Sequence, residues 1–453
     1  MSFDVAVVGF GPTGAVLASL LGQAGIRTLV VEKSTSVYDK PRAFALDHEV
    51  MRVFQNIGIA REVLPHTAPF TPSEYYGADG RMIKRLGSVP PPWPFGWPPN
   101  LVFNQPAVEK ILRERAASFP SVKIELGTEF KGLDVLNAQA KYVVGCDGAS
   151  STVRQALGIE HEDLDFDEPW LVVDLLVNES GLAKLPQVSM QYCEPQRPAT
   201  YLVGPANHRR WEIMLRPGEE PRAMEAKVWS LLARWLTPAD ATLWRAASYR
   251  FHALVAKAWR RGPVFLAGDA AHQQPPFTGQ GMCQGIRDAA NLAWKLVQGN
   301  DDLLNSYETE RKAHVKRLTS TIKDIGRLIC ERDPRAAAER DRRLIEEAGG
   351  QIPTVPRQNL IPPLEGGFFS PVAHPANGTL FPQPRLADGS LMDDVLGTGW
   401  RTVRRQDFAE LAPWFEKHQC DAAVVRPDHY VYGVAHSDEL AAMKQELEHR
   451  LRR

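Results

Sequence analysis

The sequence has few cysteines and no excess of charge of either sign. Its five cysteines are scattered among 453 residues and form no CxxC pair, which argues against a disulfide framework or a zinc site. The 53 basic and 54 acidic residues give a net charge of −1, so an electrostatic basis for nucleic-acid binding is missing. We therefore expect reduced thiols, a cytoplasmic location, no metal and no nucleic-acid partner.

The sequence also lacks a credible membrane span, although one uncharged run resembles one. No charged residue occurs between Val5 and Ile26, but the run contains GFGPTG, which would break an apolar helix. Asp4 precedes the run, where a signal peptide would carry positive charge. The run therefore predicts a strand, a turn and a helix in a soluble protein with no membrane partner.

What is present at the N-terminus is a βαβ pattern. The apolar run Asp4–Gly9 is typical of a buried parallel strand, Ala15–Ala24 of a helix, and Thr28–Glu32 of a second strand. Similar strands are predicted at Val122–Leu126, Lys141–Gly145 and Pro263–Ala267, with a helix at Ala107–Ala117.

The middle of the chain has a different pattern. Strands are predicted at Trp170–Val177, Thr200–Val203 and Arg210–Arg216, with turns and no helices between them. In the last of these, apolar and polar residues alternate, so one face is expected to be buried and the other to present polar groups. This pattern predicts an antiparallel sheet inserted into the first domain.

The length predicts two or three domains of an α/β protein. We assign residues 1–160 and 250–300 to a discontinuous Rossmann-like domain, and residues 161–249, with part of 65–105, to the inserted β-sheet domain. A helical segment is expected at 301–364 and a small C-terminal α/β domain at 365–453, where 422–431 predicts two short strands.

The turn after the first strand predicts a dinucleotide site. Gly9, Gly11 and Gly14 form a GxGxxG pattern that lets a pyrophosphate approach the backbone at a helix N-terminus. Glu32 ends the next strand, where an acid accepts hydrogen bonds from a ribose diol, and Lys33 follows it.

Two further segments indicate which dinucleotide binds. Tyr142–Arg154 contains Asp147-Gly148 after a strand, and Val264–His272 contains Gly268-Asp269 after another. With Lys40–Glu49 and Gly279–Leu296, they resemble the flavoprotein aromatic hydroxylases of the para-hydroxybenzoate hydroxylase and phenol hydroxylase superfamily. The similarity covers about residues 3–320 and is greatest to the 3-(3-hydroxyphenyl)propionate hydroxylase branch.

The resemblance implies FAD as cofactor, NADPH or NADH as a transient reductant without its own domain, and a homodimer. It also implies that the C-terminal domain is thioredoxin-like and, without CxxC, redox-inactive. A helix starting near Gly281 would direct N–H groups at the charge of reduced flavin, independently of the resemblance. The expected cofactor-binding residues are Gly9, Gly11, Gly14, Glu32, Lys33, Arg42, Gln105, Asp147, Gly268, Asp269, Pro276, Gly279, Gly281 and Met282.

The resemblance further implies hydroxylation of a phenolic ring by O2 through a flavin C4a-hydroperoxide. A base must then reach the phenol. His48 is the first candidate and Asp47 the second, because a histidine titrates near working pH; a helix-surface histidine is an equal alternative.

The substrate is expected to be a small phenol, with a 3-hydroxyphenyl carboxylic acid as one form. Arg216 or Arg210 could then bind the carboxylate. For the other pocket candidates, packing in the sheet core is the alternative role. The expected substrate-binding residues are Gln191, Tyr201, Trp211, Met214, Arg216 and Pro275.

Two other functions remain open from the sequence. The same scaffold could oxygenate a larger polycyclic or quinone substrate, including by Baeyer–Villiger insertion. A non-catalytic flavin- or nucleotide-binding protein is the alternative outside enzymes.

Overall fold

The computed structural model describes residues 2–452 and contains two large sheets, two three-stranded sheets and surrounding helices. The strands are β1 (Phe3–Val8), β2 (Thr28–Glu32), β3 (Ala45–Asp47), β4 (Thr67–Pro69), β5 (Ser73–Tyr76), β6 (Met82–Gly87), β7 (Asn100–Phe103), β8 (Val122–Leu126), β9 (Ala140–Gly145), β10 (His161–Val177), β11 (Ser189–Tyr192), β12 (Ala199–Val203), β13 (His208–Met214), β14 (Ala241–Ala256), β15 (Arg260–Arg261), β16 (Val264–Leu266), β17 (His272–Gln273), β18 (Thr354–Pro356), β19 (Arg401–Arg404), β20 (Ala422–Val425) and β21 (Val431–Ala435).

The α-helices are α1 (Pro12–Gln23), α2 (His48–Asn56), α3 (Ala60–Val63), α4 (Gln105–Ala117), α5 (Leu133–Asn137), α6 (Thr152–Ala156), α7 (Glu179–Leu182), α8 (Pro221–Glu225), α9 (Val228–Leu232), α10 (Gly281–Gln298), α11 (Asp301–Cys330), α12 (Pro334–Glu347), α13 (Met392–Leu396), α14 (Ala412–Lys417) and α15 (Leu440–Arg452). Single 3-10 turns lie at Leu64–His66, Gly268–Ala270, Pro276–Thr278, Arg357–Leu360 and Ala409–Leu411. No helix among residues 2–452 is long and apolar enough to cross a bilayer.

The first large sheet, called the parallel sheet here, has the order β15-β16-β9-β1-β2-β8. All neighbours run parallel except the edge pair β15–β16. The middle residues of its central strands β9, β1 and β2 are apolar, and they share one buried core with α1, α4 and α10. The predicted N-terminal βαβ unit and the strands near residues 122, 141 and 264 are confirmed, whereas α5 occupies residues 133–137 between β8 and β9.

The second large sheet, called the mixed sheet, has the order β17-β14-β10-β13-β12-β11-β5-β6-β18. Its long central strands β10, β13 and β14 are antiparallel, as expected from the turns between them. The edge strand β18 pairs parallel with β6, far from it in sequence. The sheet therefore includes β5 and β6, from the expected part of residues 65–105, and extends beyond the expected bounds to the end of β14, β17 and β18.

The two faces of the mixed sheet differ in what covers them. On one face, Tyr201 and Trp211 pack in a core with Leu232 of α9. On the other face, Met214 packs with Ile322 of α11 at one end, and the rest of the face borders a cavity. All of β13 is buried, so the polar face expected there is turned into the protein.

The C-terminal region forms a three-stranded antiparallel sheet, β19-β20-β21, with α13, α14 and α15. Buried polar contacts attach it to the rest of the chain. Arg52 donates to Asp393 at 2.6 Å, and Tyr430 donates to Glu49 at 2.6 Å. Because breaking a buried ion pair leaves an unpaired charge, these contacts fix how the region docks.

Candidate active site

One cavity of about 1080 Å³ lies between the carboxyl ends of the parallel strands and one face of the mixed sheet. We call the part lined by the β1–α1 turn, the end of β2 and the Asp147–Ser150 segment the nucleotide half. The part lined by β11, β12 and β13 we call the sheet half. The end of an open parallel sheet is where such folds bind their ligands.

The glycines of the first turn have separate roles. Gly9 has φ 98°, and a Cβ there would lie 2.5 Å from the carbonyl oxygen of Cys146. A Cβ at Gly14 would lie 2.1 Å from the carbonyl oxygen of Gly9, so Gly14 permits helix–strand contact and does not line the cavity. Gly11 lines the cavity, and no protein atom lies within 4 Å of a Cβ there, which leaves a cradle that fits a pyrophosphate.

Glu32 lines the nucleotide half beside this turn. Its carboxylate accepts hydrogen bonds from the backbone N–H groups of Phe10 at 2.7 Å and Ser34 at 2.8 Å. Burial alone would raise the pKa of Glu32, but these N–H groups outweigh it and lower the pKa. An ionised, immobilised carboxylate is suited to accept hydrogen bonds from a ribose diol.

Arg42 and Gln105, the expected flavin contacts, also meet in the cavity wall. The Gln105 Oε1 accepts hydrogen bonds from the backbone N–H groups of Arg42 and Ala43, both at 2.7 Å. Gln105 therefore fixes the backbone that carries the Arg42 side chain, which is half exposed. Lys33 lines the same half of the cavity.

Two aspartates face the cavity from different strand ends. Asp147 accepts from the Ser151 hydroxyl at 2.5 Å and the Thr152 hydroxyl at 2.9 Å, which fixes its turn. Asp269 has no hydrogen bond or ion pair among the described residues, and burial raises its pKa. An unpaired carboxyl group open to the cavity fits the hydroxyls of a ribityl chain. Gly268, which precedes Asp269, packs near Thr13 and does not line the cavity.

The N-terminus of α10 points into the cavity between the two halves. Gly281 and Met282 begin this 18-residue helix and line the cavity, and no side chain caps their N–H groups. Gly279, in the left-handed conformation at φ 64°, and Pro276 line it just before the helix. Uncapped N–H groups at a helix N-terminus stabilise a negative charge, so this end fits the anionic ring of reduced FAD.

The sheet half contains a row of side chains that follows the strand register. Glu212 on β13 is opposite Thr200 on β12, which is opposite Gln191 on β11, and all three line the cavity. The Thr200 hydroxyl donates to Gln191 Oε1 at 2.6 Å. Glu212 is 4% exposed and has no hydrogen bond or ion pair among residues 2–452. Burial raises its pKa to about 7, although Arg210 opposes this rise.

Arg357 closes the sheet half from the segment that follows β18. Its guanidinium lies over the ring of Phe70, with 4.1 Å from the Cζ to the ring centroid, and donates to the carbonyl oxygen of Thr278. The side chain is 7% exposed, its Nε has no acceptor, and no carboxylate among the described residues pairs with it. Burial therefore lowers the pKa of Arg357 to about 10.

The two expected catalytic residues lie outside this cavity. His48 is buried at the first turn of α2, where its ring packs on Phe95 with centroids 4.6 Å apart. Asp47 caps α2 by accepting from the Val50 N–H and forms a 2.5 Å ion pair with Arg287. Both side chains are used by the fold, and neither reaches the sheet half.

Of the expected substrate residues, only Gln191 lines the cavity. Tyr201 and Trp211 lie in the core on the opposite face of the mixed sheet because adjacent residues along a strand point to opposite faces. Met214 is buried beyond the lining, Arg216 is exposed, and Pro275 lies behind Pro276. Arg210, the other candidate for a carboxylate, is already paired with Asp174 at 2.7 Å.

Sequence reasoning missed Glu212 and Arg357. The alternation of apolar and polar residues along β13 placed Glu212 on the polar face, and this pattern could have identified it as a candidate site residue. No local pattern marks Arg357, since its position depends on the pairing of β18 with β6.

Comparisons with known proteins agree with this geometry. A family model described as FAD binding domain matches residues 2–321, and one described as HcaD C-terminal domain matches residues 406–450. A probable NADH-specific resorcinol 4-hydroxylase of Rhodococcus jostii (strain RHA1) is 36% identical, over 98% of this chain and 94% of the relative.

A 3-(3-hydroxy-phenyl)propionate/3-hydroxycinnamic acid hydroxylase of Mycobacterium sp. (strain KMS) is also 36% identical, over 88% of this chain and 74% of the relative. Among solved structures, the flavin-dependent monooxygenase PieE in complex with FAD and substrate matches 99% of both chains with a TM-score of 0.78. At 19% identity, that likeness supports the fold alone.

Proposed function

The chain belongs to the FAD-binding-domain family, and from this premise we propose that it is an FAD-dependent monooxygenase that hydroxylates a phenolic ring with NADH and O2. The observation that carries the proposal is the continuous cavity, which joins the β1–α1 turn to a chamber on the mixed sheet, the sheet half. Two relatives at 36% identity are named as hydroxylases of phenols, which supports the same reaction.

Bound FAD would accept a hydride from the reduced nicotinamide and activate O2. The protein would hold its ADP part at Gly11 and Glu32, its ribityl chain at Asp269, and its ring at the N-terminus of α10. NADH is the proposed reductant because the Rhodococcus relative is named as NADH-specific. The chamber walls would exclude water around the reacting ring.

We propose an aromatic acid with a meta hydroxyl, such as a 3-hydroxyphenyl carboxylic acid, as the substrate. The support is Arg357, a buried guanidinium without a carboxylate partner among the described residues. A substrate carboxylate would neutralise it through charge-assisted hydrogen bonds. Arg357 thus replaces Arg216 as the residue proposed to bind the substrate carboxylate.

The test begins with the visible spectrum of the purified protein and the rate of NADH oxidation with four phenols. The panel is 3-(3-hydroxyphenyl)propionate, 3-hydroxybenzoate, resorcinol and a naphthol. We expect a flavin spectrum, stimulation greatest with the two acids, and hydroxylated product by mass spectrometry. A colourless protein that cannot be reconstituted with FAD would refute the proposal, and stimulation by the naphthol alone would move it to polycyclic substrates.

A cytoplasmic location and a homodimer are also proposed, from the cysteine content and the resemblance. Cell fractionation and light scattering of the holoenzyme test them separately. A membrane-associated fraction or a monomeric mass would contradict them.

A further inference from the structure

The sheet half of the cavity contains a carboxyl group that the fold does not use. The fold uses every other buried carboxylate among the described residues. Glu32 accepts hydrogen bonds from backbone N–H groups, and the rest form ion pairs with basic side chains: Asp47, Glu49, Glu109, Asp174, Asp240, Asp288, Glu310, Asp393 and Asp428. Glu212 is as deeply buried, yet it has no hydrogen bond or ion pair among the described residues. An unpaired buried carboxyl group costs stability, so its retention calls for a function.

The strand register directs this group into the cavity. Glu212 stands between Val172 and Thr200 in one row across β10, β13 and β12, and all three line the cavity. Its neighbours along β13, Trp211 and Ile213, point into the opposite core. Glu212 is therefore held on the rigid centre of the sheet, facing the space where a substrate would lie.

Resting on the proposed function, we propose that Glu212 is the catalytic residue that accepts the phenolic proton of the substrate during hydroxylation. The phenol O–H bond breaks, the proton passes to a carboxylate oxygen of Glu212, and the electron pair enters the ring. The activated ring carbon then forms a bond to one oxygen atom of O2, and the O–O bond breaks. The other oxygen atom leaves as water, with the two electrons supplied by NADH. The ring carbon loses its own proton as the ring regains aromaticity, and Glu212 returns its proton to the phenolic oxygen.

The surrounding charges are compatible with this role. Arg210 on the same strand and Asp174 on β10 are paired with each other at 2.7 Å, so neither is free to neutralise Glu212. The other ionisable side chains that line the cavity around the sheet half are Tyr38, Arg42, Arg245, Tyr249, Arg250, His252, Asp269 and Arg357. With a pKa near 7, Glu212 is ionised and able to accept a proton just above neutral pH.

The test compares Glu212→Gln with the wild-type holoenzyme. We expect normal bound flavin and normal reduction by NADH, but product formation about 100-fold slower. In the wild type, product formation should rise with pH through about 7, and this rise should be absent from the variant. Glu212→Asp should keep the rise with a lower maximal rate, which separates a lost carboxylate from a damaged fold.

Glu168→Gln is the matched control because Glu168 is a half-buried carboxyl group with a raised pKa outside the cavity. It should behave as the wild type. Glu212→Gln with wild-type product formation and pH profile would overturn the role of Glu212 alone. A wild type whose NADH oxidation no phenol stimulates would overturn the proposed function, and the role of Glu212 with it.

A binding measurement gives a readout without turnover. Flavin absorbance without NADH reports the dissociation constants of 3-(3-hydroxyphenyl)propionate and its methyl ether, which has no proton to give. An ionised Glu212 accepts a hydrogen bond from the phenol but not from the ether. The dissociation constant of the ether divided by that of the phenol should therefore rise about tenfold between pH 6 and 8 in the wild type. In Glu212→Gln this ratio should stay constant. An equal rise in both proteins would refute the contact.

Discussion

The two halves of the cavity are built in different ways. The nucleotide half depends on backbone geometry within short segments, chiefly the Gly9–Gly14 turn and the start of α10. The sheet half depends on single side chains, among them Gln191, Glu212 and Arg357, that separate strands bring together. A shared cofactor requires the first kind of construction, whereas a change of substrate needs only new side chains in the second.

The largest expected effect separates two glycines of the nucleotide half. Gly14→Val should abolish FAD retention and destabilise the apoprotein by about 3 kcal/mol or more, because its side chain would overlap the Gly9 carbonyl. Gly11→Ala should also impair FAD binding, yet change apoprotein stability by less than about 1 kcal/mol, since protein atoms leave room for the Cβ. Thermal unfolding and flavin fluorescence titration check both. Equal destabilisation would show that both glycines serve packing alone.

In the sheet half, Glu212→Gln should change how stability depends on pH. Because folding raises the pKa of Glu212 from 4.5 to about 7, its contribution is fully present below pH 4.5 and is lost as pH rises through 7. The loss is about 3 kcal/mol. The variant should therefore match the wild type at pH 4, below both pKa values, and be more stable at pH 8. Urea unfolding at both pH values measures this, and a constant difference would contradict the buried, unpaired carboxyl group.

In the sheet half, Arg357→Met should lower kcat/KM for a phenol that carries a carboxylate much more than for one that does not. Losing a charged hydrogen bond worth about 1.5–3 kcal/mol lowers kcat/KM for 3-(3-hydroxyphenyl)propionate about 10- to 100-fold. Resorcinol, which carries no carboxylate, should be affected less than about twofold. Arg250→Met is the control, since Arg250 is already paired with Asp167 at 2.6 Å. Equal losses with both phenols would assign Arg357 to folding or to the cofactor.

The smallest effect on chemistry is expected at His48, outside both halves. His48→Ala should cost about 1–3 kcal/mol of stability, because it removes a buried ring packed on Phe95. The amount of hydroxylated product formed per NADH oxidised should remain within about twofold of the wild type. If the variant still binds flavin but little of the oxidised NADH yields hydroxylated product, His48 takes part in the reaction after all.

The same contrast explains how much could be predicted from the sequence. The parallel strands and the glycine turn were predictable because apolar runs and φ requirements are local properties. The alternation along β13 was read correctly, but the polar face was expected to be open, since nothing local shows what covers a sheet. Arg357 could not be predicted, because it reaches the cavity only through the pairing of β18 with β6. The burial of His48 outside the cavity could not be predicted either, because residue type alone does not reveal burial.

The edge strand β18 has a consequence for synthesis on the ribosome. The preceding strand of the mixed sheet ends at Gln273, whereas β18 begins at Thr354, after the three helices α10, α11 and α12. The emerging chain can therefore assemble the cofactor cradle and most of the substrate wall while the chamber still lacks Arg357. A nascent chain stalled before residue 354 should hold flavin yet fail to select an anionic ring. Arg357 is thus the last residue of the cavity wall to leave the ribosome, so the side chain proposed to select the substrate is added after the cofactor cradle.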